Sequence, residues 1–134
     1  MMVPGKIREG RAFIYVFRPA RLCTDLKDSG TMSILNKCGY RTDNMGQVLT
    51  TLITRFHEGN GFPHEIGCFL GYPAEDVIGF MEKRPCKIYG VWKVYGNVEE
   101  AVKLFQKYDA CTKSYCRAFE AGVPVERLAN REVL

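Results

Sequence analysis

The sequence predicts an α+β fold: a small, mostly antiparallel sheet of three to four strands packed against helices, with a long carboxyl-terminal helix. Three observations carry this. Residues 12–17, AFIYVF, are β-branched and aromatic, the composition of a strand. Met45, Val48, Leu49, Leu52 and Phe56 recur at helical spacing and form one apolar stripe. The stretch from Val98 to about 121, bounded by Gly96-Asn97 and Gly122, reads as the longest helix. The chain of 134 residues suits one domain over 12–122, with a basic segment at 1–11 and a tail at 123–134.

The elements follow in order. The 12–17 strand is apolar on both faces, which calls for cover on both sides or a central place in the sheet. Arg18-Pro19 ends it, and Pro19 suits the first turn of a helix running to about Leu26. Asp28-Ser29-Gly30 reads as a break. A second short helix spans about Thr31 to Cys38 and stops at Gly39. Asp43 or Asn44 caps the third, about 45–58, and Gly59-Asn60-Gly61 ends it. Ile66 to Leu70 reads as a short buried strand. Pro73 opens a helix with Glu75 and Asp76 in its first turn, where acids favour the dipole. Lys87 to Tyr95 reads as one further strand, with Ile88, Trp92 and Val94 on one face and Tyr89, Val91 and Tyr95 on the other. The long helix then crosses one face of the sheet.

Composition bounds the function. Hydrophobic residues make up 46% and charged residues 25%, a globular mixture that excludes a disordered tail, a collagen-like fibre or a coiled coil. No apolar run has the length of a membrane span, and MMVPGKIREG lacks the apolar core of a secretory signal. The net charge is +4, and its placement is the informative part. Lys6, Arg8, Arg11, Arg18 and Arg21 stand against Glu9 alone in the first 22 residues, and the rest of the chain balances. The six cysteines are too sparse for a disulfide scaffold, and most sit in apolar stretches. They read as reduced, largely buried thiols of a cytoplasmic protein.

Few residues carry chemistry. Cys111 and Cys116 are five apart on one helix, so they point about 140° from each other. They cannot share a metal or close a disulfide there, and packing outweighs ligation: on the apolar stripe Val98, Ala101, Phe105, Tyr108 and Phe119, Cys116 falls in the middle and Cys111 at the flank. His57 falls on the polar side of its helix. His64 lies where a loop enters the 66–70 strand, beside Glu65, which suits an acid/base, a haem or metal ligand, or a turn-locking hydrogen bond. Cys68 with His64 is the one nucleophile–base pair to weigh, and strand alternation puts Cys68 in the core. No metal set, Walker loop or nucleophile elbow is present. Trp92-Lys93-Val94-Tyr95 could stack bases beside a basic amino end, yet no RNP pattern accompanies it, and packing is the simpler account.

The block Phe62-Pro63-His64-Glu65-Ile66-Gly67, then Phe69 to Pro73, Glu75-Asp76-Val77, Trp92 to Gly96, Cys111-Thr112 and Tyr115-Cys116-Arg117 resembles the Firmicute domain-of-unknown-function family 3793. Phe13 to Arg21 is similar to its opening strand, so the resemblance covers about residues 10–121. It implies no established activity. It implies an anaerobic host and, loosely, a neighbourhood of iron uptake and flavodoxin. Family members carry a longer amino-terminal portion. The expectation here is a short form, in which Val3–Arg8 supplies a shortened partner strand or a sheet edge stays open for a homodimer or a protein partner.

Three functions follow. The leading one is a non-enzymatic binding or adaptor protein, in iron or flavodoxin-linked redox physiology, with no cofactor expected. The second is a ligand, metal or haem site, or an enzyme, around His64, Glu65 and Tyr72, with Trp92 and Lys93 nearby. The third is a mobile-element inhibitor or nucleic-acid-associated protein using Lys6, Arg8, Arg11, Arg18 and Arg21.

Overall fold

The computed structural model describes residues 2–59 and 61–129, and of residues 2–8 the backbone. The fold is mixed helix and sheet. It divides into two compact units, Met1–Cys86 and Lys87–Leu134.

The first unit begins with a hairpin. Strand β1 (Met2–Arg8) pairs antiparallel with β2 (Arg11–Val16), with a register irregularity between Pro4 and Ile7. The segment before the Phe13 strand thus supplies its partner. The hairpin is one-sided: Tyr15 is half-buried, while Ile14 and Val16 are exposed, so cover on both faces does not hold for β2.

Five helices follow and bury the centre. Helix α1 (Pro19–Leu26) starts on its proline and buries Leu22 and Leu26. Helix α2 (Ser29–Lys37) begins earlier than the sequence suggests. Asp28, read as part of a break, is its cap, and its carboxylate accepts from the Thr31 amide at 3.0 Å. Helix α3 (Met45–Glu58) is capped by Asn44 and buries Val48 and Leu52, as the stripe predicts. Leu35 is fully buried where these helices meet, in a core with Phe17, Ile34, Val48 and Val77. Each such side chain contributes about 1.5–3 kcal/mol.

The expected strand at 66–70 is a helix. One turn, α4 (Ile66–Phe69), is followed by α5 (Ala74–Met81). A short buried apolar run has the same pattern in either state. What decides it is closure. Gly71, at φ +75°, turns the chain so that the Tyr72 amide donates to the Gly67 carbonyl at 2.9 Å. A Cβ on Gly67 would meet Tyr72 and Val77 at 2.9 Å, so the turn packs here only without a side chain. The Tyr15 hydroxyl donates to the Phe69 carbonyl and ties α4 to the hairpin.

The second unit is a small hairpin and a long helix. The expected single strand 87–95 is two strands, β3 (Ile88–Tyr89) and β4 (Lys93–Val94), paired antiparallel around Gly90. A Cβ on Gly90 would sit 2.3 Å from the Phe105 ring, so the glycine marks a close approach inside what reads as a strand. Among the described residues the strands form two separate two-stranded ladders rather than one sheet of three or four. Val94 and Trp92 are buried as predicted, but Tyr95 is buried with them while Tyr89 and Val91 are exposed.

Helix α6 (Val98–Glu120) is capped by Asn97 and carries Glu99 and Glu100 in its first turn. It is about 35 Å long. Its amino-terminal half carries Phe105 and Tyr108 against Trp92. Beyond that the predicted stripe is not buried: Phe119 is exposed, and so is Cys116, while Cys111 is half-buried. A hairpin of two-residue strands is too short to cover such a helix. Helix α7 (Val125–Ala129) follows, with Leu128 buried. No helix among the described residues is long and apolar enough to cross a membrane.

Candidate functional site

The last turn of α3, the loop after it and the end of α2 converge on one buried carboxylate. Glu65 is only 1% exposed. It stands at the start of α4, where Cys68 donates its amide to the Glu65 carbonyl. Two donors meet its side chain. The Tyr40 hydroxyl donates to Oε1 at 2.8 Å, and Arg55 Nε donates to the same oxygen. Arg55 Nη1 also donates to the Cys38 carbonyl at 3.4 Å, and its guanidinium lies 5.7 Å from the Tyr40 ring centre. A carboxylate buried this deeply persists because its charge is paired and hydrogen-bonded.

The cluster shapes the acidities around it. Burial, then the hydrogen bond and charge of Glu65, push the Tyr40 phenol well above its ordinary value. Burial and Glu65 push the Cys38 thiol up, against the pull of Arg55. Burial opposes the charge on Arg55, but its bond to Glu65 outweighs this and raises its pKa. Tyr40 and Cys38 therefore stay neutral while Arg55 stays charged.

This cluster forms one wall of an open cavity of about 650 Å³, lined among others by Cys38, Arg55, Glu58, His64, Glu65 and Met81. The volume suits a small organic ligand. His64 is exposed at the wall, its ring edge-on to Phe80 at 5.5 Å. His64 and Glu65, paired from the sequence, do share a site. Arg55, Tyr40 and Cys38 were not singled out. Arg55 left a readable signal: it lies seven residues after Val48, within about 20° of the buried face of α3. A charge at such a position implies a partner.

The other sequence candidates lie elsewhere. Tyr72 packs on Gly67 at the edge of the core and does not line the cavity. Trp92 and Lys93 belong to the second unit. There Trp92 packs edge-on against Phe105 at 4.6 Å, and Lys93 is exposed on β4, in register with Tyr89. Arg11 and Arg18 are exposed, and Arg21 is ion-paired with Asp25 at 3.1 Å on the surface, where such a pair contributes little. Arg8 and Arg11 are register partners, which places two basic residues opposite each other. The side chains of Lys6 and Arg8 lie outside the described residues.

Cysteine chemistry is restrained. None of the six forms a disulfide. The expectation that most are buried does not hold: Cys68 is buried, Cys38 and Cys111 are half-buried, and Cys23, Cys86 and Cys116 are exposed. Burial pushes the Cys68 thiol up to about 12, so at neutral pH it is a packed thiol rather than a nucleophile. Among the described residues no three His, Cys, Asp or Glu side chains are placed to hold a metal ion.

Against known proteins, one family model matches residues 2–129, nearly the whole chain; its description is "protein of unknown function (DUF3793)". No curated protein and no solved structure matches.

Proposed function

The chain belongs to the DUF3793 family, and from the geometry of its cavity we propose that it is a non-enzymatic binding protein whose small-molecule site is the Arg55–Glu65 cavity. The observation that carries this is the buried carboxylate of Glu65, held by Arg55 and Tyr40 in the wall of a space of ligand size. Charged groups buried in a concavity are a costly arrangement that binding sites use and ordinary cores avoid. The same bonds favour binding over catalysis. Glu65 is committed to two fixed donors, and the Cys68 thiol stays protonated.

The test is a fragment screen by ligand-observed NMR on the full chain, repeated with Gly61→Phe. Gly61 lines the cavity and a Cβ there would have nothing within 4 Å, so the backbone has room for a side chain at the cavity's edge. The expected result is a set of fragments that bind the natural chain, lose binding in Gly61→Phe, and are recovered unchanged. Fragments that bind both forms equally would place the site elsewhere, and fragments converted to product would make the protein an enzyme.

A further inference from the structure

The amino-terminal hairpin leaves one edge of its ladder open. Among the described residues β2 pairs with β1 on one side and with no strand on the other. The turn fixes which backbone groups face that edge. Arg8 and Arg11 close a two-residue turn over Glu9 and Gly10, at φ 50° and 74°. The closing pair of such a turn exchanges both its hydrogen bonds, so Arg11 aims its N–H and C=O at β1. Alternation then aims those of Ala12, Ile14 and Val16 outward. Pro4 agrees, since it stands opposite Ile14 and has no N–H to give. The extra residue of the irregular step lies on β1, between Pro4 and Ile7, and leaves the alternation of β2 intact. Ala12, Ile14 and Val16 are exposed, and among the described residues none makes a hydrogen bond outside the ladder.

Sheets protect such edges with charge, proline or a bulge. Here the proline and the irregularity fall on β1, the strand that packs along α3. Residues 12–16 hold no charge, proline or glycine. An unprotected row of outward amides and carbonyls is a template for a further strand. Charge selects what that strand is. No acid stands from Gly10 to Thr24, while Arg11, Arg18 and Arg21 do. Arg11 opens the edge and Arg18 follows its end, and both are exposed. A second copy would bring these arginines together. Two β2 strands paired antiparallel about Ile14 would set Arg11 opposite Phe17, next to the other copy's Arg18. The edge therefore favours an acidic strand over its own.

We propose that the open edge of β2 binds an extended segment of an acidic partner protein, which adds a strand through the backbone of Ala12, Ile14 and Val16 and sets acidic side chains against Arg11 and Arg18. Main-chain hydrogen bonds supply the affinity, and the arginines supply the choice of partner. None of these residues lines the Arg55–Glu65 cavity, so the edge and the cavity are separate sites.

Two capped peptides test this. Each has a centre of alternating valine and threonine, long enough to reach from Arg11 to Arg18, and they carry glutamate or lysine at both ends. Their dissociation constants are read from the nitrogen-15 amide shifts of the full chain. Beside it stand Ile14→Pro, which removes an outward N–H and no bond to β1, and the double charge reversal Arg11→Glu with Arg18→Glu. The expected result is that the glutamate-ended peptide binds about tenfold tighter than the lysine-ended one, with shifts centred on residues 11–18. Ile14→Pro, in protein that still melts cooperatively, abolishes binding. The charge reversal leaves the backbone alone and inverts the preference, which decides the matter even where the proline variant does not fold. Equal binding of the two peptides, or a preference that the reversal leaves unchanged, would overturn the acidic partner. Neither peptide binding, or both binding a folded Ile14→Pro as tightly, would overturn the edge as the site. A dimer in sedimentation equilibrium that Ile14→Pro dissociates would make the occupant a second copy and overturn the proposal.

Discussion

The two units solve the same problem at different depths. Met1–Cys86 gathers side chains from a hairpin and five helices around Leu35, deep enough that a carboxylate can be buried and must be matched. In Lys87–Leu134 fewer described side chains are buried, among them Trp92, Val94, Tyr95 and Leu128, and its long helix buries Ala101 alone. Deep burial makes an unpaired polar group expensive, so polar side chains there hold fixed positions. A shallow unit imposes no such penalty, and its ion pairs, Lys103 with Glu99 and Lys113 with Asp109, stay on the surface. The difference explains why the candidate site lies in the first unit.

Mutations can break or sharpen that contrast. The largest effect is expected at the centre of the deep unit. Leu35→Ala leaves a void where no side chain is exposed and should cost about 4 kcal/mol, read as a lower urea midpoint for Cys68 thiol protection. A loss under about 1 kcal/mol would mean that the core is loosely packed. Next comes Glu65→Ala, which strands the Tyr40 hydroxyl and half-buried Arg55. It should cost about 3 kcal/mol by the same assay, and a neutral result would remove the penalty on which the contrast depends. In the shallow unit, Gly90→Ala drives a methyl into the Phe105 ring and should cost about 2 kcal/mol. Trp92, the only tryptophan, reports it by fluorescence. The smallest is Tyr40→Phe, which deletes one of the two bonds to Oε1 and should cost about 1 kcal/mol in denaturant.

How far the sequence reads to this structure depends on pattern length. Helix α3 was legible because five apolar residues keep one period across four turns, and α6 because Asn97 and Gly122 bracket it. The 66–70 turn was not, because four apolar residues fit strand and helix equally, and the choice was made by Tyr72 and Val77 closing on Gly67. The 87–95 hairpin was hidden because alternation continues through Gly90, and only the Phe105 ring shows why a glycine stands there. Within the site, His64 and Glu65 were visible as a polar pair entering an apolar run. Tyr40 and Cys38 carry no pattern that links them to residue 65, since that pairing is made across the chain, where the turn after α2 meets Arg55 and Glu65.

The proposed ligand site is the space beside Arg55 and Glu65. The most direct measurement is the nitrogen-15 amide spectrum of the full chain titrated with a fragment that binds in the screen and is lost in Gly61→Phe. The expected result is shifts centred on residues 38, 55, 58–59, 61, 64–65 and 81, saturating together. Shifts centred instead on the apolar groove of Phe13, Leu49, Ile53 and Phe56, or on the Trp92 hairpin, would contradict it.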